Sequence, residues 1–348
     1  MLVPAMDRVR LAIVGCGNIV QLNAPGYLRH PRCDVTVFCD PIRERPESRA
    51  RQWGLTPRIC TDYAHVLDDP AVDAVAKART TFRVTENLLG TAQQQEGPMD
   101  LELRNRTAVV TGCSAGIGRE IARVLAAEGV PTLAIARREH LLKTLQDEIE
   151  AAGWVRPHAL AIDLAARAAP ARVRDEAFAR LGHVDILVNN AGGSRPTAVD
   201  APDSVWDESF AINFTAVRKL TQALLPGMIE RRWGRIITVT GTSEPAGTNA
   251  AGPAKAAVHA WAKGLSRDVG RHGITVNCLA PGRIHSEQID QRLHPTPENQ
   301  EQFARQIPLG YFGDPCDMAY LVAFLCSPKA RYITGERIHV DGGLRRAY

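Results

Sequence analysis

The chain has 348 residues, of which 45% are hydrophobic and 23% charged, and its formal net charge at pH 7 is +4. This composition is typical of a folded globular protein and argues against a disordered or fibrous chain. The arginines are dispersed along the sequence, so we expect no nucleic-acid partner. No apolar run approaches the ~20 residues of a membrane span, and eight scattered cysteines without a CxxC pair favour free thiols over a metal site. We therefore expect a cytoplasmic protein with no membrane association and no bound metal.

The first motif in the chain is a strand, a glycine turn and a helix within "VRLAIVGCGNIV", residues 9–20. Its glycines are Gly15 and Gly17, and a second apolar run, "CDVTVFCD", ends in Asp40. In a dinucleotide-binding fold the glycines let the backbone approach a pyrophosphate, and the acid binds ribose hydroxyls. Val20 replaces the third glycine of the GxGxxG pattern. The motif therefore indicates a nucleotide-binding fold whose glycine turn is incomplete.

The region around this motif has a wider resemblance. Together with "TDYAHVLDDPAVDAV" at 61–75, the block 9–75 resembles the opening of the glucose-fructose oxidoreductase/inositol dehydrogenase family. The sequence after Val75 is polar and unpatterned. We therefore expect 1–76 to be a truncated Rossmann-like segment and 77–98 to be a linker. A remnant without a catalytic role is the simplest interpretation of such a segment.

A second unit begins at Met99 and alternates apolar, β-branched runs with helical patterns. We predict strands at 107–111, 131–136, 158–162, 185–189, 235–240, 273–278 and 337–340. We predict helices near 117–128, 139–152, 167–181, 204–231, 253–270 and 315–326. This alternation predicts an α/β, doubly wound Rossmann fold with a seven-stranded parallel sheet covered on both faces. Residues 283–310 form an insertion before the last strand, and we expect it to be a loop that covers the active site.

Several short motifs fall at strand ends of the second unit. "TGCSAGIG" follows the first strand and opens a helix, so the helix N-terminus would face a phosphate. "DILVNNAGG" and "TVNCLAPGRI" place small residues after two further strands, and "LAIDL" places Asp163 after the third. Ligands of such sheets bind at this carboxyl edge. The pattern therefore predicts one nucleotide site at that edge.

Together these motifs resemble the short-chain dehydrogenase/reductase family over 99–348. TGxxxGIG, NNAG, Asn213 in "FAINFTAV", Lys255, PG and the terminal "HVDGG" stand in the family's order. The resemblance implies a nicotinamide cofactor, a small-molecule carbonyl or alcohol substrate, and a homo-oligomer, either a dimer or a tetramer. The cofactor-binding positions that it implies are Gly112, Ser114, Gly116, Ile117, Gly118, Arg137, Asp163, Leu164, Asn190, Ala191, Gly192, Lys255, Pro281, Gly282 and Ile284.

The end of the second strand of this unit favours NADP over NAD. NAD-preferring members carry an acid there, whereas "LAIARREH" has Ala136 followed by Arg137 and Arg138. An acid would repel a 2′-phosphate, and an arginine pairs with it in a charge-assisted contact. We therefore expect NADP, with NAD possible, and Arg137 as the main phosphate ligand. The alternative is that both arginines are merely exposed.

The catalytic pattern of the family is incomplete in this chain. Asn213 matches the family's asparagine, which kinks a helix and holds a water, and Lys255 matches its lysine, which binds the nicotinamide ribose. Alignment on the preceding strand puts Gly241 at the serine position, and counting back from Lys255 puts Ala251 at the tyrosine position. Gly252 and Pro253 leave the tyrosine position without a filling side chain, so we expect a roomy pocket there.

Nearby polar groups are the candidates to replace the missing pair. The hydroxyls of Thr240, Thr242 and Ser243 are each candidates to polarise a substrate oxygen, and we choose Ser243. The predicted catalytic residues are therefore Asn213, Ser243 and Lys255. An aliphatic hydroxyl is too weak an acid to replace tyrosine, so Glu244 is a candidate proton donor. His285, His294 and Tyr311 lie in or near the expected lid.

The sequence thus predicts an NADP-dependent oxidoreductase that transfers hydride reversibly between nicotinamide and a carbonyl or secondary alcohol. Two alternatives stay open. One is a catalytically silent NADP-binding or regulatory module, and the other is a non-redox lyase or dehydratase that keeps the pocket.

Overall fold

A computed structural model describes residues 8–14, 16, 28, 30, 32–67, 69–77, 82–84, 100–241 and 247–346. The chain divides into two compact units, Met1–Gly97 and Pro98–Tyr348. None of the helices in these described ranges combines the length and the apolar character needed to cross a membrane.

The first unit contains a five-stranded sheet. Its strands are β1 (Val9–Val14), β2 (Cys33–Cys39), β3 (Arg58–Cys60), β4 (Ala74–Lys77) and β5 (Phe82–Val84), in the order β3-β2-β1-β4-β5. Its described helices are α1 (Glu44–Trp53) and α2 (Ala64–Leu67). All neighbouring strands are parallel except β4 and β5, which are antiparallel. Because β5 pairs with β4, part of the segment predicted to be a linker, 77–98, belongs to this sheet.

Side chains of β1 alternate between two small apolar clusters. Leu11 and Ile13 pack with Phe38, while Ala12 packs with Val37 and with residues of the α2–β4 region. This is the two-residue period of a strand that is covered on both sides.

The second unit contains a seven-stranded parallel sheet, as the sequence predicted. Its strands are β6 (Ala108–Thr111), β7 (Thr132–Ala136), β8 (His158–Ala161), β9 (Ile186–Asn189), β10 (Gly234–Val239), β11 (Ile274–Pro281) and β12 (Arg337–Val340). The order is β12-β11-β10-β9-β6-β7-β8. The order reverses between β6 and β9, and this point of a doubly wound sheet is where ligands bind.

Helices cover both faces of this sheet. They are α3 (Gly116–Ala127), α4 (Glu139–Ala151), α5 (Ala169–Leu181), α6 (Asp203–Phe210), α7 (Ala216–Arg231), α8 (Ala251–Val269), α9 (Pro297–Ala304) and α10 (Pro315–Cys326). One core cluster joins the sheet to α3, α4 and α10, and the other joins it to α5, α7 and α8. The doubly wound Rossmann fold is therefore confirmed.

Two regions of the second unit differ from the prediction. The helix expected at 204–231, with a kink at Asn213, is divided into α6 and α7 by a π-helical turn, Ala211–Thr215, which contains that asparagine. The insertion 283–310, expected to be a loop, contains a π-helical turn, Ile289–Leu293, and α9. Ile289, Ile307 and Phe312 form a small apolar cluster there, which gives the insertion a core of its own.

Candidate cofactor and active site

The glycine loop between β6 and α3 packs tightly against the residues that follow β9. Gly112 has φ +75°, and a Cβ at this position would lie 2.6 Å from Asn190 Nδ2. A Cβ at Gly118 would collide with the same amide and with the Gly112 carbonyl oxygen. Only glycine fits at either position, so the two segments approach as closely as backbones can.

Thr111 and Asn190 link the two strand ends by hydrogen bonds. The Thr111 hydroxyl donates to Val188 O at 3.2 Å and accepts from the backbone N–H groups of Asn190 (2.9 Å) and Ala191 (3.0 Å). Asn190 Nδ2 donates to Thr111 O at 3.0 Å. The amide of Asn190 therefore fixes the shape of the loop.

The N-terminus of α3 suits the pyrophosphate of a dinucleotide. No described side chain caps this helix, and its first turn holds no acidic residue. Gly116 has φ +57°, and Ile117 packs against the core behind it. An uncapped helix N-terminus with glycines around it attracts an anion through its backbone N–H groups. These residues therefore fit the cofactor that the sequence implies.

The two arginines after β7 differ in their surroundings. Arg138 Nη2 donates to Ser114 Oγ in the glycine loop at 3.0 Å, and its guanidinium also pairs with Glu287. Arg137 is exposed, and it forms no hydrogen bond or ion pair with the part of the chain that the structure describes. The sequence favoured Arg137 as the phosphate ligand, but the structure brings Arg138 to the loop.

Asp163 and Leu164 follow β8 at the same edge of the sheet. Asp163 is exposed, and its Oδ1 accepts the backbone N–H of Ala165 at 3.0 Å. The second carboxylate oxygen makes no hydrogen bond within the described residues, so it can accept one from an adenine amino group. Leu164 packs against the core below.

Asn213 lies in the π-helical turn and is buried. Its Oδ1 accepts the Gly193 N–H at 3.2 Å, and its Nδ2 donates to Ser209 O at 3.0 Å. Gly192 has φ +155°, and a Cβ there would lie 2.6 Å from Asn213 Oδ1. The side chain thus holds the turn after β9 against the helix, and π-helical turns often occur at functional sites.

Lys255 projects from α8 toward the end of β10. Its Nζ donates to Thr240 O at 2.8 Å. Although Lys255 retains some exposed surface, burial lowers the pKa of its ammonium group to about 8. A Cβ on Gly241 would lie 3.8 Å from Lys255 Nζ, in ordinary contact distance of the lysine chain. The predicted serine position and the lysine are therefore neighbours.

Thr240 contacts both Lys255 and a histidine one helical turn further along α8, the lysine through its backbone oxygen and the histidine through its hydroxyl. His259 Nε2 lies 2.7 Å from Thr240 Oγ1, which in turn donates to Leu279 O at 3.1 Å. Burial, with the nearby Arg337, His339 and Lys255, lowers the pKa of His259 to about 4. The neutral imidazole therefore donates through Nε2 and holds the strand end that positions Lys255.

The predicted tyrosine position, Ala251, opens α8 and is only 2% exposed. Asn249 Oδ1 accepts from the Ala251 N–H (2.9 Å) and from the Arg195 N–H (3.1 Å). The start of the helix is thereby tied to the turn beyond β9. Ser243 and Glu244, predicted to replace the missing pair, lie outside the described residues.

A cavity of about 350 Å³ lies beside Lys255, between Trp206 and Arg337. Gly252 and Pro253 line it, whereas Ala251, where the sequence predicted a roomy pocket, does not. The open space is therefore next to the predicted tyrosine position, and the position itself is packed.

The other candidates for a proton donor are bonded to other side chains or exposed. His285 Nδ1 pairs with Asp290 Oδ1 at 2.9 Å, and His294 Nε2 accepts from Arg283 Nε at 3.1 Å. Tyr311, in or near the expected lid, is 59% exposed. Each of the two histidines is thus bonded within the insertion.

The segment after β11 packs against the C-terminal segment of the chain. Gly282 N donates to Val340 O at 2.9 Å, and a Cβ on Gly282 would lie 2.6 Å from Asp341 Cα. The glycine after Pro281 therefore lets β11 approach the terminal "HVDGG" segment. Ile284 is buried and bridges to Gly313, which fixes the start of the insertion.

Comparisons with known proteins agree with this geometry. A family model described as "Enoyl-(Acyl carrier protein) reductase" matches residues 112–345. The 3-oxoacyl-[acyl-carrier-protein] reductase FabG of Salmonella typhimurium is 36% identical over 248 residues, which cover 70% of this chain and 99% of the relative. The chain belongs to the short-chain dehydrogenase/reductase family.

Solved structures of this oxidoreductase family superpose on the chain. One is a 7α-hydroxysteroid dehydrogenase in complex with NADH and 7-oxo glycochenodeoxycholic acid, with a TM-score of 0.67, 32% identity, and coverage of 70% of this chain and 96% of that one. Another is the Pseudomonas aeruginosa RhlG/NADP complex, with a TM-score of 0.65, 31% identity, and coverage of 70% and 98%. The cofactor of a short-chain dehydrogenase/reductase with these neighbours is a nicotinamide dinucleotide.

A second family model, described as "Oxidoreductase family, NAD-binding Rossmann fold", matches residues 9–89. It confirms the resemblance of the first unit and extends it beyond Val75, where the sequence suggested that it stops. Gly15, Gly17 and Val20 lie outside the described residues. Asp40, the expected ribose ligand, is 2% exposed, and its oxygens accept from Cys16 N (2.8 Å) and Ile42 N (3.0 Å).

Three residues of the candidate site in the second unit were not identified from the sequence. Thr111 lies in the quoted glycine motif, but its role depends on a strand that is distant in sequence. Asn249 stands two residues before a helix, and this is a frequent place for an asparagine that binds the backbone. His259 lies four residues after Lys255, a spacing that puts two side chains on the same face of a helix.

Proposed function

We propose that the second unit is an NADP(H)-dependent reductase that transfers hydride reversibly between the cofactor and a small-molecule carbonyl or secondary alcohol. The single observation that carries this proposal is Lys255, whose Nζ is held at Thr240 O beside the predicted serine position. Arg138 supports NADP, because its guanidinium lies at the glycine loop with the charge that a 2′-phosphate requires.

The bound cofactor supplies the hydride, and the chain supplies positioning and the proton. Lys255 Nζ uses one N–H on Thr240 O, so two remain for ribose hydroxyls, water or a substrate oxygen. With alanine at 251, we propose that this ammonium replaces the tyrosine as the proton source. A pKa of about 8 makes it a far better acid near neutral pH than an unperturbed lysine.

The names of the relatives suggest which carbonyl compounds to test first. One relative is a 3-oxoacyl carrier-protein reductase, and one neighbour holds a 7-oxo bile acid. Both compounds are ketones on bulky groups, and the cavity of about 350 Å³ beside Lys255 offers room for part of such a molecule. We also propose that the chain acts as a homo-oligomer, a dimer or tetramer, in the cytoplasm. Light scattering of the purified chain tests the oligomeric state.

The alternative of a silent NADP-binding module is favoured by one observation. Ala251 is packed at 2% exposure, so nothing at that position transfers a proton. The proposed reductase would then depend on Lys255 alone.

Single-turnover oxidation of NADPH with 3-oxoacyl thioesters, oxo-steroids and simple aldehydes tests the proposal. We expect hydride transfer well above the enzyme-free rate with at least one substrate. NADPH that binds but is never oxidised would point to the silent module. Substrate loss without a change in nicotinamide absorbance would point to a lyase or dehydratase.

A further inference from the structure

Glu287, in the insertion after β11, lies at the phosphate side of the candidate cofactor site. The Arg138 guanidinium binds its carboxylate with two parallel bonds, Nη1 to Oε1 at 3.1 Å and Nη2 to Oε2 at 2.8 Å. The same Nη2 reaches Ser114 Oγ in the glycine loop at 3.0 Å. Two-bond pairing is also how an arginine binds a phosphate. Glu287 therefore uses the donors that a 2′-phosphate would need.

The backbone around Glu287 is held in place on both sides. Asp290 accepts the Ser286 N–H at 3.0 Å, and the Asp290 N–H donates to Ser286 O at 2.8 Å. Gln288 Nε2 donates to Ser194 O at 3.2 Å. Ser286 itself lies so close to the glycine loop that a Cβ on Gly116 would be 3.1 Å from Ser286 Cβ. The carboxylate thus points at Arg138 from a fixed turn and not from a freely moving loop.

The negative charge of Glu287 opposes phosphate binding at Arg138. A carboxylate bound to Arg138 neutralises the guanidinium, and it would repel the roughly doubly charged phosphate of NADPH. NADH carries only hydroxyls on that ribose, so it meets neither the competition nor the repulsion.

We propose that Glu287 sets the cofactor preference of this protein by competing with the 2′-phosphate of NADP(H) for Arg138. Binding of NADP(H) then releases Glu287 from Arg138, whereas binding of NADH leaves the pair in place. The pair lowers the affinity for NADPH relative to a chain that lacks the carboxylate. This inference rests on the proposed function, because it takes the glycine loop as the site of the nicotinamide dinucleotide.

Glu287→Gln in the full chain tests the competition. Equilibrium titration should show NADPH binding about 3–10-fold tighter than in the wild type, since an exposed ion pair and its repulsion are removed. The affinity for NADH should change less than about twofold. Glu301→Gln is the matched control: it removes the same charge from the insertion, at an exposed pair with Arg305. It should leave both affinities unchanged.

The same Glu287→Gln substitution in a chain that already carries Arg138→Gln separates competition for Arg138 from a general effect of removing a negative charge. In the Arg138→Gln chain, Glu287→Gln should raise the affinity for NADPH much less than it does in the wild type. The inference is overturned by an equal gain in both backgrounds, by an equal gain for NADH, or by no gain in NADPH affinity. Weaker binding of NADH in Glu287→Gln, without a gain for NADPH, would make Glu287 a ribose ligand and also overturn it. A chain that binds no nicotinamide nucleotide in any form would instead refute the proposed function.

Discussion

Each of the two Rossmann units places a charged residue just after its second strand, and the two residues have opposite surroundings. Asp40, after β2, is 2% exposed, and two backbone N–H groups bind its oxygens. Arg138, after β7, is exposed and reaches the glycine loop through Ser114. The same topology therefore gives a structural anchor in one unit and a candidate cofactor ligand in the other. Buried carboxylate oxygens that accept backbone N–H groups anchor a loop, whereas an exposed guanidinium can exchange a side-chain partner for a phosphate.

The largest expected effect comes from removing the group proposed to carry the chemistry. Lys255→Met should lower the rate of hydride transfer by about 10²–10⁴-fold, because proton transfer and ribose positioning are lost together. Lys219→Met, at an exposed lysine of α7, is the matched control and should keep the wild-type rate. Single-turnover NADPH oxidation measures both. An unchanged rate in Lys255→Met would show that hydride transfer does not depend on Lys255, and it would contradict the reaction proposed for the second unit.

The same lysine should make the stability of the second unit depend on pH. The pKa of Lys255 is about 8 in the folded chain and 10.5 ordinarily, so the unfolded state binds more protons between these values. The free energy of unfolding should therefore rise by up to about 3 kcal/mol as pH increases from about 8 to 10.5.

Lys255→Met should lack that rise, and Lys219→Met should follow the wild type. Urea unfolding of the three full-length chains across this range measures the difference. The same pH dependence of the unfolding free energy in the wild type and in Lys255→Met would show that burial does not lower the pKa of this lysine.

Arg138 and Arg137 should contribute differently to the affinity for NADPH. Arg138→Gln should weaken NADPH binding by about 10–100-fold, because a charge-assisted phosphate contact contributes about 1.5–3 kcal/mol. The affinity for NADH should change by less than about threefold. Arg137→Gln is the control, and a larger loss of NADPH affinity there would restore Arg137 as the phosphate ligand. Titration of each variant with both nucleotides measures the four affinities.

The smallest effect is expected at the anchor of the first unit. Asp40→Asn should cost about 1.5–3 kcal/mol of stability, since charged acceptors of two backbone N–H groups are lost. Asp34→Asn, on the same strand and in an exposed pair with Arg8, should cost less than about 1 kcal/mol. Proteolysis of the first unit under native conditions measures the difference. A drop in NADPH affinity in Asp40→Asn would contradict the structural role.

The strands and helices of the second unit were predictable because local patterns specify them. β7 was predicted at 131–136 and found at Thr132–Ala136, and α10 was predicted with both bounds correct. The apolar period and the glycine turns carry this information within a few residues. Membership of the family followed from the order of the motifs in the same way.

The features that were missed depend on contacts distant in sequence. The π-helical turn around Asn213 holds the Gly193 N–H, which no helical pattern reveals. The helical insertion is organised by a cluster that joins Ile289 to Phe312. Which of two adjacent arginines reaches Ser114 depends on how the chain turns from β7 into α4. The sequence identified candidate site residues, but it did not show which residues they contact.

The most direct test of the account is the number of nucleotides that one chain binds. Calorimetric titration of the full-length chain with NADPH should give one binding site per chain. That site should lose affinity in Arg138→Gln and keep its affinity in Asp40→Asn. Two sites per chain, or one site that is lost in Asp40→Asn and retained in Arg138→Gln, would contradict the claim that only the second Rossmann unit binds the cofactor.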